Sequence, residues 1–218
     1  MNVLIIYHMR LGDIARCLPI AKHYADQGHD VIFECLPEYH GLFDMVPYCK
    51  PCHPGADRRA FDLVFDLQIW PARNAEFLAS GKNWMDFIYD PLPEKINRQI
   101  VLQPPAIVVP PELSDALLVF PTGYSQQWPI DPRRVVEYAQ TLFPNMPHAY
   151  IGKRDHGMIE LPSIADLCAW IHYAGQVLTI NSSPSILASA LRDNWYHIPD
   201  HPQHDWVHPK QFRVRRPI

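Results

Sequence analysis

At 218 residues and 48% apolar content, the chain is long enough for one large domain or two small ones, each with its own core. A net charge of -4 gives no general attraction for a polyanion, and no apolar run is long enough to span a bilayer. The first residues lead straight into a strand pattern, so no secretory leader is read there and a cytoplasmic location is expected.

Val3 to Tyr7 is a short apolar, β-branched run of the kind a buried parallel strand shows. Gly12-Asp13 follows, and Ile14, Cys17, Leu18 and Ala21 then recur at helical spacing. The pattern predicts a strand, a short loop and a helix to about Gln27, with Asp13 on the helix N-cap at the strand's carboxyl end. Two roles are open for Asp13 at this point. It caps the helix by satisfying a first-turn amide, or it presents a carboxylate to a cleft. Pro19 predicts a kink or a break, and Gly28 ends the helix. Val31 to Cys35 reads as a second strand, Pro37 to Met45 as a short helix, Phe61 to Leu67 as a third strand and Pro71 to Ser80 as a helix. Pro91 to Pro111 carries six prolines and no clear period. It is the linker candidate, with Ile100 to Leu102 and Ile107 to Val109 as candidate edge strands.

The alternation then restarts. Leu117 to Phe120 is a strand, Asp131-Pro132 opens a helix that Pro144 stops, and Ala149 to Ile151 is a strand. Ser163 and Asp166 have capping-box spacing before a helix closed by Gly175. Val177 to Ile180 is a strand, Asn181-Ser182-Ser183-Pro184 starts a helix, and Trp195 to Ile198 is a last strand.

The five cysteines include one Cys-x-x-Cys, Cys49 to Cys52, in a proline-rich loop. No second ligand pair accompanies it, and it does not open a helix, so neither zinc nor redox chemistry is expected there. His197, His201, His204 and His208 fall within twelve residues, with Asp200 and Asp205 among them. This densest polar cluster reads as a polar loop, a metal site or a contact to a diphosphate. Trp70, Trp84, Trp128 and Trp206 fall in or near loops, where an indole stacks on a ring or packs.

The motifs come in a telling order: Gly12-Asp13 with Leu18-Pro19, Phe61 to Gln68 (FDLVFDLQ), Leu117 to Pro129 (LLVFPTGYSQQWP), Ala149 to Gly152, Leu161 to Ile180, and Asn181 to Leu191 (NSSPSILASAL). In this order they resemble the family 9 glycosyltransferases, heptosyltransferase-like enzymes of the GT-B fold. The resemblance implies an α/β fold class of two Rossmann-like strand-helix domains facing across a cleft, 1–110 on the acceptor side and 111–218 on the nucleotide-sugar side. The amino-terminal half is shortened, mainly between Leu67 and Leu117. The implied activity is metal-independent transfer of a hexosyl or heptosyl group from a nucleotide diphosphate sugar to a hydroxyl acceptor, with inversion. Asp13 is the implied catalytic base, with Arg10 and Gly12 on the acceptor and phosphate side. Thr122, Gly123, Tyr124, Gly152, Lys153, Asn181, Ser182 and Ser183 are the implied donor-binding set. No metal and no cofactor beyond the donor substrate are expected. The acceptor is expected to be a saccharide, with a modified nucleobase as the alternative.

Two features fit the donor role physically. Gly123 after a strand lets backbone approach a phosphate, and Ser182-Ser183-Pro184 at a helix start offers amides and the dipole to an anion. The simpler alternative is that Ser183 caps and Pro184 starts the helix. Departures from the family pattern fall on the same side: Gln126 and Gln127 replace a basic residue before Trp128, and Asn181, Ser183 and Ile186 replace Asp, Gly and His. They leave open a non-catalytic nucleotide- or partner-binding protein of the same fold.

Overall fold

In a computed structural model that describes residues 1–123, 130–154, 157–198 and 212–213, the chain forms two compact units, Met1–Gln103 and Pro104–Ile218. Each is built on an all-parallel sheet, four-stranded in the first and five-stranded in the second among the described residues.

In the first unit β1 (Asn2–Ile6) runs between β2 (Asp30–Glu34) and β4 (Leu63–Asp66), and β3 (Lys50–Cys52) lies at the edge. Val3 to Ile6 are fully buried, as a central strand covered on both faces requires. Helix α1 (Leu11–Asp26) returns the chain antiparallel to β1 and buries Ile14, Ala15, Cys17, Leu18, Ile20 and Ala21 completely. That packing, at about 1.5–3 kcal/mol for each large apolar side chain, outweighs the donor lost at Pro19. The helix runs unbroken through the proline. Pro37–Met45 is a 3-10 helix, and two short helices, α2 (Asn74–Ser80) and α3 (Trp84–Tyr89), follow β4. β3 was not expected from the sequence, since Pro51 lacks a ladder donor and only an edge strand tolerates it. Ile100 to Leu102 and Ile107 to Val109, expected as edge strands, form none. Ile100 and Leu102 are buried, so that stretch covers the core without pairing.

The second unit centres on β5 (Leu117–Phe120), flanked by β6 (His148–Tyr150) and β7 (Gln176–Ile180), with β8 (Tyr196–Ile198) and β9 (Phe212–Arg213) beyond. Its helices are α4 (Pro132–Leu142), α5 (Ile164–Tyr173) and α6 (Ser183–Leu191). Asp131 caps α4 by accepting from Arg133 N at 2.9 Å, and Ser163 caps α5 by accepting from Asp166 N at 3.0 Å. Gly175 does not close α5 through a left-handed turn. A Cβ there would overlap the carbonyl oxygen of Ser114, so close backbone approach is what demands glycine. The Arg192 guanidinium caps the other end of α5, donating to the carbonyls of Ile171, His172, Ala174 and Gly175 at 2.6 to 3.2 Å.

Candidate functional site

In a doubly wound sheet, ligands bind at the carboxyl edge where the strand order reverses. In the first sheet that point lies between β1 and β4, and the loops leaving both strands meet there. A shallow recess, open to solvent, is lined by Tyr7, His8, Met9, Arg10, Gln68 and Trp70.

Arg10 is the only non-glycine residue among those described with positive φ, at 69°. Its carbonyl accepts from Asp13 N at 2.9 Å and Ile14 N at 3.1 Å. The helix therefore starts at Leu11, with Arg10 as its cap residue. This corrects the expected position of Asp13, which lies inside the first turn and is not the N-cap. Its carboxylate is engaged elsewhere. The Tyr7 hydroxyl donates to Asp13 Oδ2 at 3.1 Å, and Arg16 Nη1 donates to Oδ1 at 3.4 Å. The Asp13 side chain is 13% exposed and that of Arg16 10%. Trp84 completes the enclosure, its ring 5.9 Å from that of Tyr7 and 5.3 Å from the Arg16 guanidinium carbon.

Burial pushes the Asp13 pKa above the ordinary carboxylate value, while the charges of Arg16 and Arg10 and the Tyr7 hydroxyl pull the other way. Burial, and then the Asp13 charge, push the Tyr7 phenol far up, so Tyr7 remains a donor. The arrangement is a largely buried carboxylate of raised basicity with both oxygens oriented, which suits proton abstraction. Arg10 itself is exposed, its guanidinium carbon 5.4 Å from the centre of the Trp70 ring, and Gly12 is buried in the first turn of α1.

In the second unit the reversal lies between β5 and β7, paired from Leu117↔Gln176 to Phe120↔Thr179. Thr122 and Gly123 follow β5, and Asn181, Ser182 and Ser183 follow β7, so the topology brings these sequence-predicted residues to one sheet edge. Gly152 follows β6 and joins them: a Cβ built on it would lie 3.4 Å from Thr122 Oγ1. Lys153 is exposed beside it. The cap residue of α6 is Ser182, not Ser183, and its hydroxyl donates back to Ile180 O at 3.3 Å with no cap bond to the helix. His197, buried in the middle of β8, has Nδ1 3.1 Å from Ser185 Oγ in the first turn of α6. Tyr124, Gln126, Gln127, Trp128, His201, His204, His208, Asp200 and Asp205 lie outside the described residues. Among the described residues no group of three or more His, Cys, Asp or Glu side chains is placed to hold a metal ion.

No family model matches the chain, and no curated protein matches it in sequence. Solved structures do match. A family 9 glycosyl transferase from Veillonella parvula superposes with a TM-score of 0.66 at 10% identity, over 98% of this chain and 85% of that one. The fold is that of the family 9 glycosyltransferases. The E. coli heptosyltransferase WaaC, solved with ADP-2-deoxy-2-fluoro heptose, gives 0.63 at 11% identity over 99% and 93%. TibC from enterotoxigenic E. coli, described as an iron-containing dodecameric glycosyltransferase, gives 0.67 at 13% identity over 97% of this chain. This chain spans 62% of TibC. No helix among the described residues is long and apolar enough to cross a membrane.

Sequence reasoning missed Tyr7, Arg16, His8 and Glu34 at the first site, while Trp84, read there as an indole in or near a loop, is the first residue of α3. Arg16 was within reach, because Asp13 and Arg16 stand at i,i+3 on a helix. Tyr7 ends an apolar strand and reads as core. His8 and Glu34 are 26 residues apart and meet only because β1 and β2 pair.

Proposed function

We propose that this chain is an inverting glycosyltransferase that moves a sugar from a nucleotide diphosphate sugar to a hydroxyl acceptor. The observation that carries the reading is Asp13: a buried carboxylate of raised pKa, held by Tyr7 and Arg16 at the carboxyl end of the central strand. It sits in a fold shared with glycosyltransferases.

In the proposed step Asp13 takes the acceptor hydroxyl proton as that oxygen bonds to the anomeric carbon. The bond from that carbon to the diphosphate oxygen breaks, and the nucleoside diphosphate leaves with the electron pair. A single displacement inverts the centre. Arg16 keeps the carboxylate oriented and Tyr7 donates to it. Arg10 and Gly12 lie on the acceptor and phosphate side. In the second unit, Thr122, Gly123, Tyr124, Gly152, Lys153, Asn181, Ser182 and Ser183 form the donor set, with the amides and dipole of α6 facing the diphosphate. WaaC was solved with ADP and with an ADP-heptose analogue, so ADP-sugars head the donors to test. The acceptor in this reading is a saccharide. The base and the helix terminus cover both charge changes of the step without a metal or further cofactor, and the reaction is placed in the cytoplasm.

A thermal-shift panel with ADP, UDP, GDP, CDP and dTDP and their sugar conjugates tests this, run with and without EDTA. One nucleotide is expected to raise the melting temperature saturably, by about 2.7 kcal/mol of stabilisation at a hundred times its Kd, unchanged by EDTA. No shift with any of them overturns the donor site and turns attention to the non-catalytic alternative. A shift lost in EDTA overturns metal independence.

A further inference from the structure

The recess at the edge of the first sheet contains more than the proposed chemistry uses. Glu34 ends β2 and is 4% exposed, yet both its carboxylate oxygens are engaged. Oε1 lies 2.6 Å from His8 Nε2, and Oε2 accepts from Ala56 N at 3.0 Å. Held this way, Nε2–H of His8 donates to the carboxylate, which fixes the orientation of the ring. His8 is half-buried and lines the recess. A buried carboxylate fixing a recess-lining imidazole is a costly arrangement for packing alone. On the loop leaving β4 stand the half-buried Gln68 and Trp70, which is 42% exposed beside the Arg10 guanidinium. Arg10 meanwhile holds a backbone angle that a glycine adopts at far lower cost.

These groups share a recognisable chemistry. An exposed indole offers a flat apolar face. An oriented imidazole, a carboxamide that both donates and accepts, and a guanidinium donor stand around it. A ring with C–H faces and several hydroxyls satisfies all of them, and the acidic chain does not attract a polyanion. We infer that the recess is a saccharide subsite in which Trp70 is the platform and His8, fixed by Glu34, is the specificity-determining reader of a ring hydroxyl, with Gln68 as the second reader. The inference rests on the glycosyltransferase reading in taking this ring as the acceptor's. It adds the residues that would choose the acceptor.

The test follows the Trp70 indole N–H signal by NMR, assigned with Trp70→Phe. Methyl glycosides of hexoses, a heptose and hexuronic acids are titrated in parallel with free nucleosides. At least one glycoside is expected to shift that signal saturably. His8→Ala, Glu34→Gln and Gln68→Ala are each expected to weaken binding about three- to tenfold, the loss of one hydrogen bond, with the remaining signals in place as the fold control. Gln68 is half-buried and lies outside the paired strands, so its variant tests the site even if a Glu34 variant fails to fold. No glycoside response, a response to nucleosides instead, or an affinity indifferent to His8→Ala and Gln68→Ala overturns the inference. The nucleotide panel on the same sample separates the two proposals. Glycoside binding without nucleotide binding supports the subsite and overturns the transferase. Nucleotide binding without a glycoside response overturns the subsite alone.

Discussion

The Tyr7 hydroxyl donates to Asp13 Oδ2 at 3.1 Å, from the residue that directly follows β1 to the first turn of α1. The bond stabilises the ionised carboxylate and so restrains the rise that burial imposes on its pKa. Removing it lets the pKa climb further. Tyr7→Phe is therefore expected to move the acid limb of the pH profile of kcat/KM to higher pH. Stability should fall by about 1 kcal/mol, the usual net value of such a bond. Transfer rates measured across pH for both proteins check this.

Asp13 also links stability to pH. Its folded pKa is raised above the unfolded value, so the folded state holds the proton more tightly. Stability from this group is present below the ordinary carboxyl range near about 4 and is lost as pH rises through the raised folded value. Above the ordinary carboxyl range the buried group therefore destabilises the fold. Asp13→Asn is expected to melt higher than the wild type at pH 7, with the difference shrinking as pH falls below that range. Thermal unfolding across pH measures it.

Arg10→Gly relieves the positive φ. Such strain costs on the order of 1–3 kcal/mol, partly offset by the greater chain entropy of glycine. The expected net gain is about 1 kcal/mol in denaturant unfolding. The variant loses the guanidinium over Trp70, so weaker transfer should accompany the gain.

Gly175→Ala places a methyl group against the backbone carbonyls of Ser114 and Ala116. Those carbonyls sit on the strand entry and cannot swing aside as a side chain would. A loss of about 2 kcal/mol or more is expected in unfolding experiments. The α5 helix itself is kept, because its closing bonds come from Arg192.

Much of this architecture was legible in the sequence, and where it was not the reasons are physical. The central strands are continuous apolar runs, because a parallel strand is covered on both faces, and Val3 to Ile6 and Leu117 to Phe120 announce themselves. The helix starts at Asp131 and Ser163 were legible because a cap is a local interaction. The start at Arg10 was not. No residue type there signals a left-handed turn, and misplacing it by three residues made Asp13 look like a cap. β3 was hidden by Pro51. Ile100 to Leu102 looked like a strand because it is apolar, but it has no ladder partner. At the site, Asp13 and the donor-edge residues stand in local motifs. The Tyr7 and Glu34 contacts arise only from strand pairing and the fold of β1 onto α1, which no local pattern carries.

Asp13 is the proposed base of the transfer reaction. The direct measurement is nucleotide release from the donor that binds, in the presence of a saccharide panel, by wild type and Asp13→Asn side by side. Turnover by the wild type is expected, with a fall of about 10²- to 10⁴-fold in kcat for Asp13→Asn and donor affinity unchanged. A variant that transfers at the wild-type rate would contradict the account, because the carboxylate would then take no part in the step.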